Sequence, residues 1–350
     1  MPKVQAERLR DIGRALLVAN GVPEEEAATV ARHVVNANLA GHDSHGVIML
    51  PNYIERVKAG HIVPGAPFTV VQESRTTTVV DGNWGFGYVI NERAMALTIE
   101  KARAENIAAC TVFRQGHVGR LASYPLMAAE AGMIGMAWAD SGRSPKGVAP
   151  FGGREARLGT NPWAMAVPSD LDGPFCVDLA TSAVAMGKVK LAEARGQEIP
   201  RGWVVDSEGE LTTDPARLKG GALLPLGGAG EGYKGTALAA MGEVLCGLLT
   251  GLGFGVEPSG RHNDGCFLIA IKVEAFRPLL AFRREVADFA RYLKDTPPAK
   301  GSAGVLYPGE VEHRAAQGRA AEGIEIEEST WAKLGALAAE GGIAAQLGFT

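Results

Sequence analysis

Two short glycine-flanked segments carry the histidines best suited to proton transfer. Residues 41–46 follow a helical pattern and contain His42 and His45, and residues 116–120 place His117 directly after a strand-like run. An unperturbed imidazole titrates near neutral pH, so it can both give and accept a proton. Polar clusters at the ends of helices and strands are frequent catalytic and binding positions. The two segments therefore predict a proton-transfer site assembled from distant parts of the chain.

His117 is the better candidate for a general acid and base. Arg120 stands three residues further on and could bind a carboxylate through two hydrogen bonds. The sequence leaves open a purely structural interpretation, in which His117 caps a helix and Arg120 lies on the surface.

The first histidine segment could also suggest a metal site. His42, Asp43 and His45 could share a cation, but no further ligand stands at a helpful spacing. The sequence favours Ser44 and His45 as hydrogen-bonding groups to a polar ligand, and we predict no metal site.

Two later segments have a structural and a functional interpretation. Residues 178–182 could cap a following helix, or that helix start could bind a carboxamide or phosphate through its free N–H groups. Lys234, in a glycine-rich segment, could contact a phosphate or be a solvated loop lysine. The structural interpretation is the default for both.

The composition limits the class of protein. The chain of 350 residues is 46% hydrophobic with a net charge of −4, which suits a globular protein and gives no basic surface for nucleic acid. No apolar run is long enough to span a bilayer, and the N-terminus lacks the apolar core of a signal peptide. The four cysteines lie far apart and suggest free thiols. We therefore expect a soluble cytoplasmic protein that binds neither nucleic acid nor membrane.

The hydrophobic periodicity predicts helices at both ends of the chain and alternating helices and strands between them. The loops after two strands, 108–113 and 134–139, would leave carboxyl ends, where α/β sheets bind ligands. We expect a flexible or ligand-approaching loop at 220–235 and a helix opening at 180–182. Other helices are expected near 4–19, 23–41, 51–58, 89–103, 236–250 and from 281 onward, and other strands near 68–71, 76–80, 175–178 and 267–272.

Several motifs together resemble the type-2 malate/L-lactate dehydrogenase family. The resemblance runs from about residue 5 to 345, in the family's order, and within the family it is most similar to the bacterial hydroxycarboxylate dehydrogenase B branch. It is carried by residues 38–46, 51–53, 117–120, 148–153, 159–162, 178–182, 234–235 and 307–310.

The resemblance implies a fold and an activity. The fold is α/β, a three-layer mixed-sheet non-Rossmann dehydrogenase fold with a helical lobe, and no GxGxxG follows a predicted strand and opens a helix. The activity is reversible reduction of a 2-oxo acid to a 2-hydroxy acid with NAD or NADP, in a homodimer. We expect an N-terminal helical segment over 1–75, a central α/β region over 76–280 and a C-terminal helical segment over 281–350 that packs on the N-terminal one.

The resemblance also implies roles for individual residues. His117 matches the acid/base, and Ser44 and His45 match groups beside the nicotinamide and substrate. The candidates for substrate binding are Tyr53, Arg120, Arg143, Lys146 and Asn161. The candidates for cofactor binding are His45, Gly119, Arg120, Leu121, Cys176, Val177, Asp178, Leu179, Ala180, Tyr233, Lys234, Gly309, Glu310, Val311 and Glu312.

Met49 departs from the family pattern. Many members have an arginine there, associated with the substrate carboxylate, and a thioether cannot replace it. We expect Arg120, Arg143 or Lys146 to supply the charge instead, and Met49 to favour a bulkier or more apolar substrate. Two alternatives stay open: a cyclic-imine carboxylate reductase of the same family, and, in another class, a metal-dependent hydrolase.

Overall fold

The computed structural model describes residues 1–140, 146–256 and 263–349; Arg143 lies outside them. A π-helical segment, Glu243–Leu248, directly follows the helix that ends at Gly242. The α-helices are α1 (Ala6–Ala19), α2 (Glu24–Leu39), α3 (Leu50–Lys58), α4 (Gly87–Glu105), α5 (Ser123–Glu130), α6 (Met186–Ala194), α7 (Gly228–Gly242), α8 (Leu279–Lys294), α9 (Glu310–Glu322) and α10 (Glu328–Glu340). The strands are β1 (Lys3–Val4), β2 (Thr69–Glu73), β3 (Thr77–Gly85), β4 (Ile107–Gln115), β5 (Met133–Asp140), β6 (Trp163–Val167), β7 (Phe175–Leu179), β8 (Val204–Val205), β9 (Leu211–Thr212), β10 (Ala222–Leu223), β11 (Gly265–Lys272) and β12 (Ile324–Glu325).

The central sheet has the strand order β2-β3-β4-β11-β5-β6-β7. β3 and β4 are parallel, and the other neighbouring strands are antiparallel. β4 and β5 therefore end at one edge of the sheet, where β11 and β6 begin. We call this the site edge and define it by Gln115, Asp140, Asn161 and Asp264. The predicted loop after β4 leaves from this edge, whereas residues 141–145 of the loop predicted after β5 lie outside the described residues.

The sheet lies between helical layers. On one face, Gly135 of β5 lets α5 approach so closely that a Cβ there would lie 2.7 Å from Pro125 Cα. On the other face, a Cβ on Gly265 of β11 would overlap the backbone of Cys246 in the π-helical segment. This is the three-layer mixed-sheet arrangement that the resemblance implies.

The helices at the two ends of the chain share a second hydrophobic core. α1 and α2 contribute apolar side chains at helical spacing, such as Leu9, Ile12 and Leu16, all fully buried. Leu334 of α10 and Ile324 of β12 pack into the same cluster. β1 pairs with β12, so the N-terminal strand is tied to the C-terminal segment.

The segment 220–235 differs from the predicted loop, because α7 already begins at Gly228. Gly227 and Gly228 have positive φ angles of 97° and 61°, which make the turn, and the chain then continues as a helix. Glu231 and Lys234 form an ion pair one helical turn apart. The glycines there serve the turn and close packing rather than a flexible loop.

The predicted helix start at 180–182 is also wrong, since α6 begins only at Met186. Thr181 instead bridges neighbouring segments: its N–H and its hydroxyl donate to Thr160 O, and its carbonyl accepts from Leu226 N at 2.8 Å. Asp178 lies within β7 and does not cap a following helix. The tertiary hydrogen bonds outweigh the local capping pattern.

Candidate active site

His117 lies two residues beyond the end of β4, at the site edge. Its segment is held against the N-terminus of α4, because Gly87 has no side chain and a Cβ there would overlap Gly116 O and lie 2.5 Å from His117 O. Gln115, fully buried, accepts a hydrogen bond from Asn91 Nδ2 at 2.7 Å. The imidazole is therefore presented from a rigid strand end that packs on a helix.

Two buried tyrosines stand behind His117. Tyr53 Oη of α3 lies 2.7 Å from His117 Nδ1 and 3.0 Å from Tyr88 Oη of α4. Burial raises the pKa of both phenols above the ordinary value, so both are neutral. The structure thus places His117 Nδ1 against a neutral phenol.

His45 stands beside His117, with ring centroids 5.6 Å apart and planes inclined by 14°. Ser44 Oγ lies 3.2 Å from His45 Nδ1. The pKa of His45 is lowered, first by burial and further by the charges of His42 and Arg120. At neutral pH a neutral imidazole is therefore stacked against His117, which suits one proton carrier rather than two.

Asp264 completes this group, and the sequence analysis missed it. Its Oδ2 accepts a hydrogen bond from Val118 N at 3.1 Å, and its carbonyl accepts from Gln115 Nε2 at 3.1 Å. The carboxylate is buried, and its negative charge helps to raise the pKa of Tyr53. The available signal was a polar pair at 263–264 directly before an apolar strand, but only the antiparallel pairing of β11 with β4 brings it to His117.

A second cluster is centred on Arg120. The guanidinium contributes to lowering the pKa of His42, where burial has the largest effect. Glu312 and Asp178 raise that pKa, and Glu312 Oε1 lies 3.5 Å from His42 Nε2. Arg120 Nε–H is buried and donates to no hydrogen-bond partner within the ranges that the structure describes. A guanidinium with an unsatisfied N–H in such a place can bind an anion.

Three of the segments assigned to the cofactor by resemblance meet around this cluster. Ala122 N, which follows 119–121, donates to Asp178 Oδ2 at 2.7 Å. Cys176 N donates to Pro308 O at 3.0 Å, next to 309–312. Gly309 has φ 95°, and a Cβ there would lie 3.0 Å from Cys176 Sγ. Burial raises the pKa of the Cys176 thiol to about 11, so it is a neutral wall of the cluster.

A dinucleotide fits these residues on one observation. The unsatisfied Arg120 Nε–H is available to an anionic phosphate. The glycine at 309 instead serves close packing, since a Cβ there would overlap Pro174 O. Glu310 is different: Lys294 lies 2.5 Å away, Arg314 lies 2.6 Å away, and Tyr307 N donates to it. We therefore interpret Glu310 as a residue that supports this segment.

Lys146 and Asn161 lie in a buried network instead of facing open space. Lys146 Nζ is 3.0 Å from Glu243 Oε1, and the two side chains are 2% and 10% exposed. Asn161 Nδ2 donates to the same oxygen at 3.2 Å and to Ala239 O at 3.0 Å. Because its ammonium is bound to Glu243, Lys146 is an unsuitable partner for a substrate carboxylate.

Tyr233 and Lys234 lie on the exposed side of α7. Lys234 Nζ is 2.6 Å from Glu231, and the Tyr233 ring makes an edge contact with Phe151. These contacts do not link them to the cluster around Arg120. The candidate residues Leu121, Val177, Leu179, Ala180 and Val311 stay assigned through their segments alone.

The first histidine segment does not form a metal centre within the described residues, where no three His, Cys, Asp or Glu side chains are placed to hold an ion. Asp43 is paired with Arg319 at 2.6 Å, whereas His42 faces Glu312 and His45 faces Ser44. The three side chains point to three different partners.

Comparison with known proteins identifies a family and its members. The model of the family named malate/L-lactate dehydrogenase matches residues 4–335. A malate dehydrogenase of Pyrococcus abyssi is 36% identical, covering 94% of this chain and 92% of that protein. Hydroxycarboxylate dehydrogenase B of Escherichia coli K12 is 34% identical, covering 94% and 91%.

Solved structures show the same fold. A putative malate/lactate dehydrogenase from E. coli superposes with a TM-score of 0.91 at 32% identity, covering 99% of this chain and 98% of that one. A Δ1-piperideine-2-carboxylate reductase from Pseudomonas syringae superposes with a TM-score of 0.84 at 29% identity, covering 96% and 100%. In the described part of this chain, no helix is long and apolar enough to cross a membrane.

The chain therefore belongs to the malate/L-lactate dehydrogenase family. Membership makes it a 2-hydroxycarboxylate dehydrogenase that interconverts a 2-oxo acid and a 2-hydroxy acid with a nicotinamide cofactor, as the motifs predicted.

Proposed function

We propose that His117 carries the proton in this reaction, on Nε2, while NAD or NADP is bound along the Arg120 cluster. The observation that carries the proposal is the contact of His117 Nδ1 with Tyr53 at 2.7 Å. Because Nδ1 faces a phenol, we assign the proton transfer to Nε2. The bound cofactor supplies or accepts the hydride.

In the reducing direction, imidazolium at His117 donates the Nε2 proton to the carbonyl oxygen as negative charge develops there. In the oxidising direction, the neutral ring takes that proton back from the hydroxyl. His45, kept neutral by burial, borders the same space and offers a hydrogen bond to the substrate, and Ser44 orients it. Holding both reactants in one geometry supplies much of the rate.

Arg120 is our candidate for the anion-binding group. Its Nε is unsatisfied among the residues described, and its charge lowers the pKa of both His42 and His45, which supports a position near the reacting groups. The anion is either the substrate carboxylate or a cofactor phosphate. Arg120→Lys keeps the charge but loses bidentate binding, so a raised KM for the acid or a raised Kd for the dinucleotide distinguishes the two sources.

Met49 leads us to propose a substrate with a bulkier or more apolar side chain than malate. The thioether packs against the core of the helical lobe rather than contributing charge. We expect Met49→Arg to move the preference towards small acidic oxo acids; an unchanged order of preference would refute this part.

We also propose a homodimer. α7 and the segment after it expose four large apolar side chains: Leu238 (39%), Met241 (57%), Leu248 (50%) and Leu249 (59%). Such an exposed apolar patch often marks a protein–protein interface. A second copy is the partner that the family resemblance suggests. Light scattering on the purified chain tests this, and Leu248→Lys should shift a dimer towards monomer. We place the enzyme in the cytoplasm, in keeping with four free, buried cysteines.

One second candidate is favoured by a specific observation. The structural likeness to a cyclic-imine carboxylate reductase suggests reduction of a C=N bond as an alternative. That substrate arrives already protonated as an iminium, so it has less need of the His117 proton.

The test is nicotinamide absorbance with NADH and NADPH in parallel, against glyoxylate, pyruvate, oxaloacetate, phenylpyruvate, hydroxyphenylpyruvate and a cyclic imine. Consumption with an oxo acid supports the proposal and identifies the cofactor and side-chain preference. Consumption with the imine alone supports the alternative. No consumption by folded protein contradicts both.

A further inference from the structure

Two buried tyrosine hydroxyls lie one behind the other next to His117, and we call them the hydroxyl row. Tyr53 Oη is within hydrogen-bond distance of both His117 Nδ1, at 2.7 Å, and Tyr88 Oη, at 3.0 Å. Both phenols are about 1% exposed. The row crosses from α3, in the helical lobe, to α4, against the sheet.

The proton count in this row permits two arrangements. Tyr53 has one hydroxyl proton, so it donates either to His117 Nδ1 or to Tyr88. If it donates to Nδ1, the neutral imidazole must carry its proton on Nε2, on the substrate side. If it donates to Tyr88, its oxygen accepts from Nδ1–H, and the neutral ring has a free lone pair on Nε2.

The reaction favours the second arrangement. Imidazolium has protons on both nitrogens, so its Nδ1–H requires an acceptor, and Tyr53 is in place. After Nε2 gives up its proton, the same hydrogen bonds persist unchanged. In the first arrangement, every turnover would require two buried hydroxyls to rotate. A preorganised network avoids that reorganisation.

The charged and titratable groups around His117 are compatible with this arrangement. His45 is stacked against it from the segment after α2 and is neutral, and Asp264 approaches from the start of β11 with its carboxylate on Val118 N. Tyr53 and Tyr88 face it from α3 and α4. Among these four described neighbours Asp264 is the acidic side chain, and a carboxylate nearby is compatible with an imidazolium that needs Tyr53 as acceptor.

We propose that Tyr53 and Tyr88 are positioning residues that hold the proton of neutral His117 on Nδ1, so that Nε2 is the reacting nitrogen in both directions. Tyr53 accepts from Nδ1–H and donates to Tyr88. Only the Nε2 proton moves, to or from the substrate oxygen, and neither phenol ionises. The kinetic part of this inference rests on the proposed function, whereas the position of the proton does not.

The direct test is ¹⁵N NMR of the full-length protein labelled at histidine, with His117 assigned by the spectrum of His117→Gln. At a pH where His117 is neutral, we expect the proton on Nδ1. In Tyr88→Phe, Tyr53 loses its acceptor and turns to Nδ1, so the proton should move to Nε2. A neutral ring protonated on Nε2 in the wild type, or no change in Tyr88→Phe, overturns the proposal.

Tyr124→Phe is the matched control. Tyr124 is equally buried on α5, and its hydroxyl donates to Val118 O at 2.7 Å without contacting His117. We expect this variant to leave the proton on Nδ1. A tautomer change in Tyr124→Phe equal to that in Tyr88→Phe would show a general packing effect and would also overturn the proposal.

Kinetics give a second readout. In Tyr53→Phe the charged ring loses its acceptor, so the pKa of His117 should fall, and the alkaline limb of kcat for reduction should move down by about one pH unit. Tyr124→Phe should leave the limb in place. An unmoved limb in Tyr53→Phe contradicts the proposal. If the wild type shows no dehydrogenase activity, the proposed function fails, and the NMR result still decides the position of the proton.

Discussion

The imidazole rings of His45 and His117 are stacked, with centroids 5.6 Å apart, although 71 residues of chain lie between the two histidines. Only one ring has its Nδ1 on a buried phenol; the other has Ser44 beside it. Burial favours neutral His45, and two adjacent imidazolium ions would repel each other. The pair therefore divides into a proton carrier and a neutral neighbour.

This division gives a prediction for Arg120→Met. The guanidinium lowers the pKa of His42, after the larger effect of burial, and also lowers that of His45. Removing it should raise both values, which a histidine NMR titration measures. Both histidines are neutral in the wild type at neutral pH, so His42 and His45 should start to protonate at higher pH in the variant.

Arg157→Met is the control for this experiment, because Arg157 is exposed and paired with Glu155. It should leave both histidine titrations unchanged. If Arg120→Met shifts neither histidine, Arg120 does not face them and its assignment as anion-binding group fails.

Because Lys146 and Glu243 form a buried ion pair, we expect a single variant to lose much more stability than the double variant that removes both charges. Lys146→Met leaves a buried carboxylate without its ammonium, which should cost about 3–5 kcal/mol in the free energy of unfolding. Lys146→Met combined with Glu243→Leu removes both charges and should recover most of that loss. Urea unfolding measures both, and a double variant as unstable as the single one would contradict the prediction.

The lowered pKa of Glu92 makes the free energy of unfolding depend on pH in acid. Hydrogen bonds, first from His33 and then from Arg32, lower the pKa of Glu92 to about 2. A carboxylate with a lowered folded pKa stabilises the fold above its unfolded pKa near 4.5, and this contribution is lost as pH falls towards 2. The stability difference between wild type and Glu92→Gln should therefore be large at pH 7 and shrink steadily below about pH 4.5.

Glu105→Gln serves as the comparison, since Glu105 pairs with the exposed Arg75. Surface pairs contribute little, so this variant should follow the wild type across the same pH range. A constant difference between wild type and Glu92→Gln from pH 7 to pH 2 would show that the ionised form of Glu92 is not what stabilises the fold.

The sequence predicts the two histidine segments and most helices because each depends on local patterns. His117 follows an apolar strand, and His45 follows an amphipathic helix. Their positions at the ends of these elements can therefore be recognised from the sequence alone. The fold class followed from the order of the motifs.

Other parts of the site depend on pairing that no local pattern records. Asp264 contacts the residues on either side of Gly116 and His117 only because β11 runs antiparallel between β4 and β5. Tyr88 meets Tyr53 only where α4 packs against the helical lobe. The sequence offers Lys146 as a cation for the substrate, but the fold places its Nζ 3.0 Å from Glu243 Oε1, a residue almost a hundred positions later.

The central claim is that His117 carries the proton, and one pair of measurements on His117→Ala tests it most directly. With the best oxo acid, turnover should fall at least about a hundredfold, since general acid–base catalysis contributes that much or more. Dinucleotide affinity, measured by fluorescence, should stay nearly unchanged. The matched control is His313→Ala, which removes a half-buried histidine paired with the exposed Asp172 and should retain full turnover. Retained turnover in His117→Ala, with the cofactor still bound, would contradict the account.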